Sequence, residues 1–302
     1  MKKSLKKIKD FLYHTFTNIK NLHFIIKFAK YFLSNGIYFI SKTEKKIMRL
    51  NKKLLIRDGV VFFVVAYKRK NKYEFNKHIT YRFGGNKIVI CTKDRAYGCY
   101  KTKKSYFYAK KNIIDYYDKI NYPLALWLFY NDKAQIIGMK KIIGKTFEDR
   151  YHDLIIIDNL FHYAIDLVPV FCKDRVLFIQ HGDCKRGNII WEDDSSHFIF
   201  IDLDGLCPLP LLFDLFHYFG CINMSLQEIV EQFDKHKVQL AEIAKKVGME
   251  YNNNFIDHLF YNYILCYKKW GNNFNDFKFL TTENSKDYKK TNDLLKNILA
   301  DR

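Results

Sequence analysis

Proline and glycine are scarce in this chain. Four prolines and thirteen glycines among 302 residues exclude a collagen-like or low-complexity polymer. Long apolar runs are missing too: the best candidate, Phe24 to Ile40, is broken by Lys27, Lys30, Ser34, Asn35 and Gly36, so no spanning helix is expected. Lys2, Lys3, Lys6, Lys7 and Lys9 look like the start of an export signal, but no clean apolar core or small-residue cleavage site follows, and export is not expected. The seven cysteines, at 91, 99, 172, 184, 207, 221 and 266, form no CxxC pair and have no histidine at zinc spacing. They read as reduced thiols of a cytoplasmic protein rather than a disulfide framework or a zinc knuckle. What the chain has in quantity is apolar and aromatic: 27 Phe, 22 Tyr and 48% hydrophobic residues, enough for one large or two small packed cores.

The net charge is +19 and unevenly spread. Residues 1–58 carry 15 basic side chains against Asp10, Glu44 and Asp58, whereas residues 206–302 hold 12 of each sign. Ile8, Leu12, Phe16, Ile19 and Leu22 recur at helical spacing with lysines between them, which predicts a basic amphipathic helical extension over 1–58. Two readings stand side by side for it: peripheral contact with an anionic membrane surface, or a helical pair docked on the rest of the protein with its charges in water. Nothing resembles a zinc finger or an RNA-recognition motif, and nucleic acid is not an expected partner.

From Gly59 the pattern becomes a series of short β-type runs: Val60 to Tyr67, Ile79 to Phe83, Lys87 to Cys91 and Tyr97 to Lys101. Tyr106 to Ile120 has helical spacing, and Gln135 to Ile142 reads as a strand. Beyond Gly144, helical periodicity dominates Phe147 to Val168, Leu226 to Val247, Phe255 to Lys269 and Asp287 to Leu299. The expected class is therefore α+β: an antiparallel β-rich part over 59–143 and an α-rich part over 144–302, joined at Met139 to Gly144.

The chemistry-bearing segment is His181-Gly182-Asp183-Cys184-Lys185-Arg186-Gly187-Asn188 before the apolar Ile189-Ile190-Trp191, followed by Phe200-Ile201-Asp202-Leu203-Asp204-Gly205. A carboxylate at 183 can take up a hydroxyl proton, a cation two residues on can meet phosphate charge, and Asn188 with Asp202 offers oxygen to a hard metal. Cys184 has no histidine base partner at a useful spacing, so a thiol nucleophile is not expected.

HGDCKRGNIIW followed by FIDLDG resembles the protein-kinase-like superfamily, in the branch of aminoglycoside phosphotransferases, choline kinases and lipopolysaccharide-core sugar kinases. The resemblance implies a two-lobed fold with ATP and Mg2+ as cofactors. It implies Asp183 as the catalytic base, Lys185 as the cation that stabilises the transferred phosphoryl group, and Asn188 and Asp202 as magnesium ligands. Asp204 reads either as a further metal ligand or as an exposed turn residue, His181 as structural, and Asp214 as the cap of the next helix that also steadies the catalytic loop.

Upstream, Gly84 and Gly85 read as a shortened phosphate-binding loop or as an ordinary hairpin turn. Lys101 is the candidate phosphate-contacting lysine, with Lys103 and Lys104 as alternatives, and Met139, Lys140 and Lys141 stand where a hinge backbone would bind adenine. The helix expected at 106–120 has Lys110 and Lys111 where the superfamily places a glutamate, which leaves Asp115 or some other anchor for the lysine. The function these features imply is transfer of a γ-phosphoryl group to a hydroxyl of a small molecule or glycan, a sugar of bacterial lipopolysaccharide or surface polysaccharide first among them. Choline or aminoglycoside phosphorylation is a further option. The contrasting readings are a non-catalytic nucleotide- or partner-binding module and, less favoured for want of a long activation segment, a protein kinase. The expected location is the cytoplasm, peripheral to the inner membrane if the extension binds lipid.

Overall fold

In the computed structural model the described residues are 78–172, 175–192 and 197–252, the strands at 36–41, 46–49 and 63–66, and Phe24, Ile25, Phe28, Phe32, Phe255, Ile256, Leu259 and Tyr263. The chain divides into two compact units, Met1–Lys110 with Leu126–Lys141, and Lys111–Ala125 with Ile142–Arg302.

The first unit is built on one eight-stranded sheet. Its strands are β1 (Gly36–Ser41), β2 (Lys46–Arg49), β3 (Phe63–Ala66), β4 (His78–Phe83), β5 (Lys87–Cys91), β6 (Arg95–Tyr100), β7 (Trp127–Asn131) and β8 (Ile136–Lys140). They lie in the order β3-β1-β2-β4-β5-β6-β8-β7, and every pairing is antiparallel. Strand alternation sends Tyr97 and Tyr100 of β6 to opposite faces. On one face Tyr100 meets Tyr106 edge-on at 5.8 Å; Tyr106 belongs to helix α1 (Lys103–Tyr116). Tyr106, Ala109 and Ile113, spaced for one side of a helix, are all buried. On the other face Phe32 packs on Tyr97 at 4.5 Å.

The second unit holds α2 (Arg150–Ile165), α3 (Phe213–Cys221), α4 (Leu226–Lys235) and α5 (Lys237–Lys246), with two three-stranded sheets. The strands are β9 (Gly144–Lys145), β10 (Pro169–Cys172), β11 (Arg175–Gln180), β12 (Ile189–Glu192), β13 (Phe198–Phe200) and β14 (Cys207–Leu209). Its core joins Ile156, Phe161, Phe213, Phe216, Phe233 and Ile243 from four helices. Helix starts are capped as their sequences allow: Asp149 accepts from the His152 amide at 3.0 Å, and Ser225 with Glu228 forms a capping box.

The α+β class and the order of a sheet-rich part before a helix-rich part agree with the sequence reading, and the boundaries differ in places. Strands begin at Gly36, inside the stretch read as a helical extension; most of residues 1–35, most of the helix expected at 255–269 and all of the one expected at 287–299 lie outside the described residues. The run 226–247 is two helices broken at His236 rather than one. Residues 111–125 group with the helical unit. Among the described residues no helix is long and apolar enough to cross a membrane.

Candidate active site

Three chain segments of the helical unit meet around Asp183. The loop 181–188 follows β11, and the turn 202–205 follows β13. The backbone of Ile201 donates to the Asn188 carbonyl at 2.8 Å, continuing the Ile189–Phe200 pairing of β12 and β13. This sets Asp202 next to Asn188.

Backbone contact between the two turns is close. Gly182 has φ +80, and a Cβ added there would lie 2.3 Å from the Gly205 carbonyl oxygen; one added at Gly205 would lie 2.6 Å from the His181 oxygen. Only glycine fits either position. His181, fully buried, bridges the same pair of segments: its Nε2 meets the Ile201 carbonyl at 2.9 Å, and its Nδ1 accepts from the Asp183 amide at 3.3 Å. It is structural, as expected. Asp202 itself sits at φ 68, ψ 57, a left-handed conformation rare outside glycine and concentrated at functional turns.

The loop is held from below by buried carboxylates. Asp214 on α3 accepts from the His181 amide at 2.7 Å and from the Gly182 amide at 2.8 Å. Burial pushes its pKa up, while His181 and these amides pull it back. It steadies the loop as the sequence suggested, but it does not cap its helix: Leu212 is at the cap position and makes no side-chain cap. Arg186 pairs with Asp153 of α2 through both carboxylate oxygens, and the Tyr218 hydroxyl donates to the same carboxylate at 2.9 Å.

Asp183 is thereby presented with its carboxylate ringed by donors. Oδ2 accepts from Lys185 Nζ at 2.6 Å and Asn188 Nδ2 at 2.9 Å, and Oδ1 faces His217 Nε2 of α3 at 3.5 Å. Burial opposes its charge, but His217 and Lys185 outweigh that and lower its pKa to about 2. The reciprocal pairing raises His217 to about 10, against its own burial and with Cys221 contributing. Asp183 is ionised at neutral pH, suited to orienting a hydroxyl and receiving its proton late in transfer. Lys185 lies against Asp183 and about half-exposed. Cys184 is fully buried, and burial raises its thiol well above the usual range, so it is no nucleophile.

The donor set fits a magnesium ion shared with phosphates. Asn188 Nδ2 is committed to the backbone oxygen and Oδ2 of Asp183, each at 2.9 Å, which leaves its amide oxygen to face a cation beside Asp202. Among the described residues no group of three or more His, Cys, Asp or Glu is gathered to hold a metal unaided, and Mg2+ takes one or two protein ligands with substrate phosphates completing its shell. Asp204 belongs to the same turn, and its backbone oxygen accepts from the buried Asn112 of α1 at 3.0 Å.

The nucleotide-binding candidates lie in the sheet unit. Gly84 and Gly85 form the β4–β5 hairpin turn, closed by the Gly84 amide on the Lys87 carbonyl at 2.9 Å. Lys101 Nζ donates to the oxygens of Gly85 (3.1 Å) and Gly84 (3.4 Å), so these three residues are brought together. Asp115, offered as the lysine's anchor, is paired with Lys111 at 2.5 Å. Met139 and Lys140 end β8, and the amides of Lys140 and Lys141 donate to Leu126 and Asp94 oxygens at 2.7 and 3.0 Å. Both amides are thus committed within the sheet unit.

His217, Asp153, Tyr218 and Asn112 were missed in the sequence. They reach the loop through helix packing, and no local spacing marks them.

No family model matches the chain, and no curated protein matches it. Solved structures do. A choline/ethanolamine kinase family protein from Mesorhizobium loti is 10% identical, with 64% of this chain and 76% of that one covered and a TM-score of 0.39. An ADP-bound aminoglycoside phosphotransferase is 12% identical over 72% and 91%, at 0.43. The choline kinase LicA from Streptococcus pneumoniae is 11% identical over 72% and 92%, at 0.33.

Proposed function

We propose that this protein is a phosphotransferase that moves the γ-phosphoryl group of ATP to a hydroxyl of a small molecule or glycan, with Asp183 as the base. The observation that carries this is the ionised Asp183 carboxylate, held by Lys185, Asn188 and His217 one backbone contact away from Asp202. Asn188 and Asp202 would hold Mg2+, which when bound neutralises phosphate charge and aligns the transferred group. Asp183 orients the acceptor hydroxyl, Lys185 stands within reach of the charge that develops beside it, and Gly84, Gly85 and Lys101 are the phosphate-facing candidates of the sheet unit. A sugar of a surface polysaccharide is the favoured acceptor, since the basic sheet unit suits work close to an anionic surface.

A second reading, a nucleotide-binding module without turnover, is favoured by Lys110 and Lys111 standing where the superfamily helix carries its glutamate. The two readings separate in one assay. Wild-type protein is given labelled ATP and Mg2+ with lipid-linked sugars, choline and aminoglycosides, and the same acceptors are offered to Asp183→Ala. The expected outcome is transfer to one acceptor class and a fall of at least about a hundredfold in the variant, with nucleotide binding retained. Nucleotide binding without transfer to any acceptor selects the module, and equal turnover in the variant removes Asp183 from the chemistry.

A further inference from the structure

The two units differ sharply in charge. The sheet unit, residues 1–110 with 126–141, holds 31 Lys and Arg against 6 Asp and Glu; the helical unit holds 20 against 26. The whole positive excess of the chain therefore belongs to the sheet unit. One part of its surface combines that charge with apolar side chains.

Helix α1 buries Tyr106 and Ala109 on the sheet and turns Phe107 and Tyr108 away from it, 49% and 57% exposed. β7 is an edge strand, and a bulge between Trp127 and Phe129 brings Trp127 and Tyr130 to one face, their rings stacked at 5.9 Å. That face carries α1, because Lys110 Nζ of that helix sits 3.8 Å above the Tyr130 ring, which is 44% exposed. The acid in this region, Asp132, is engaged by Tyr106 and Lys110 at 2.6 and 2.7 Å. Lys103, Lys104 and Lys133 are exposed. The Tyr100 amide on the Gln135 carbonyl (3.0 Å) ties the β7–β8 turn, with Lys133, to the end of β6 from which α1 springs. The first turn of α1 contains no acid, so Lys103 and Lys104 stand at the positive end of the helix dipole, an arrangement that an external anion relieves.

We infer that this face docks on a bilayer surface carrying anionic headgroups. Phe107, Tyr108 and Tyr130 enter the boundary between headgroups and acyl chains, while Lys103 and Lys104 meet headgroup charge. The aromatic make-up of the patch decides between anionic occupants: Tyr and Trp are enriched at the headgroup level of a bilayer, and Tyr108, Tyr130 and Trp127 supply them here, whereas a duplex backbone would reward the lysines alone. The inference stands on the sheet unit alone and survives loss of the phosphotransferase reading.

The test uses the full chain and sedimentation with vesicles of phosphatidylcholine alone, or with roughly a third phosphatidylglycerol. Wild-type protein is expected to bind the anionic vesicles and leave the neutral ones. The exposed pair Phe107→Ser with Tyr108→Ser, and separately Lys103→Glu with Lys104→Glu, should each weaken binding about tenfold with an unchanged circular dichroism spectrum, and added salt should remove the lysine-dependent part. Hydrogen exchange supplies a second readout: slower exchange over 103–110 when anionic vesicles are present. Absent vesicle binding overturns the inference. So does binding that both pairs leave unchanged, or a loss in the variants seen with an oligonucleotide but not with vesicles.

Discussion

Among the described residues, most charged side chains of the sheet unit are exposed, whereas the helical unit puts charge inside. In the former, lysines crowd a helix start and a hairpin turn; the buried one, Lys87, lies 5.6 Å over the Tyr100 ring. In the latter, Asp153 and Asp214 are almost fully buried, each gripping a part of the 181–188 loop. A buried carboxylate is costly unless its hydrogen bonds are complete, so the helical unit spends stability on fixing one loop. The sheet unit leaves Lys103, Lys104 and Lys133 exposed. Rigidity belongs to the first arrangement and long-range attraction to the second.

Removing a buried tie in the helical unit should cost most. Asp214→Ala strands the His181 and Gly182 amides without an acceptor, and a loss of about 2 to 5 kcal/mol in urea unfolding is expected. Arg186→Ala leaves Asp153 with Tyr218 as its remaining donor, at about 3 kcal/mol. If both variants unfold like the wild type, the contrast between the units fails. The Asp183–His217 pair predicts a smaller effect, visible through pH. Asp183 is lowered, so its contribution is present above its unfolded value near about 3.9 and disappears as pH falls toward about 2. His217 is raised, so its contribution is complete below about 6.5 and lost as pH rises through about 10. Unfolding midpoints should therefore decline on both sides, and Asp183→Asn should flatten both limbs; a variant profile that still follows the wild type would rule out the pair. Least affected should be Gly85→Ala. Its Cβ would meet nothing within 4 Å, and a change within about 0.5 kcal/mol by thermal unfolding is expected. A large loss there would show that the hairpin turn is as tightly built as the catalytic loop.

How much of this was legible in the chain follows from how local each feature is. HGDCKRGN and IDLDG are each one turn of backbone, and their residues come together because β12 and β13 are near neighbours in sequence; spacing was enough to find them. Asp214 was found because it opens the next helix. His217 arrives from the far side of one helical turn of α3, and Asp153 from another helix altogether, so neither leaves a local mark. Helix α3 itself, FDLFHYFGC, is buried on nearly every side, and an all-round apolar helix has no amphipathic period to detect. Strands β1 and β2 were absorbed into a helical reading because their apolar residues continue the pattern of the preceding lysine-rich segment. The bonding of the Lys140 and Lys141 amides was not legible either: a sequence names an amide but not the carbonyl that holds it.

The touching of Gly182 and Gly205 has one more consequence. Where two main chains pass with no room even for a methyl group, neither can move toward the other, so a push on the turn that bears Asp202 is felt at Asp183 without any side chain to relay it. Occupancy of one would be communicated to the other by contact of bare peptide planes.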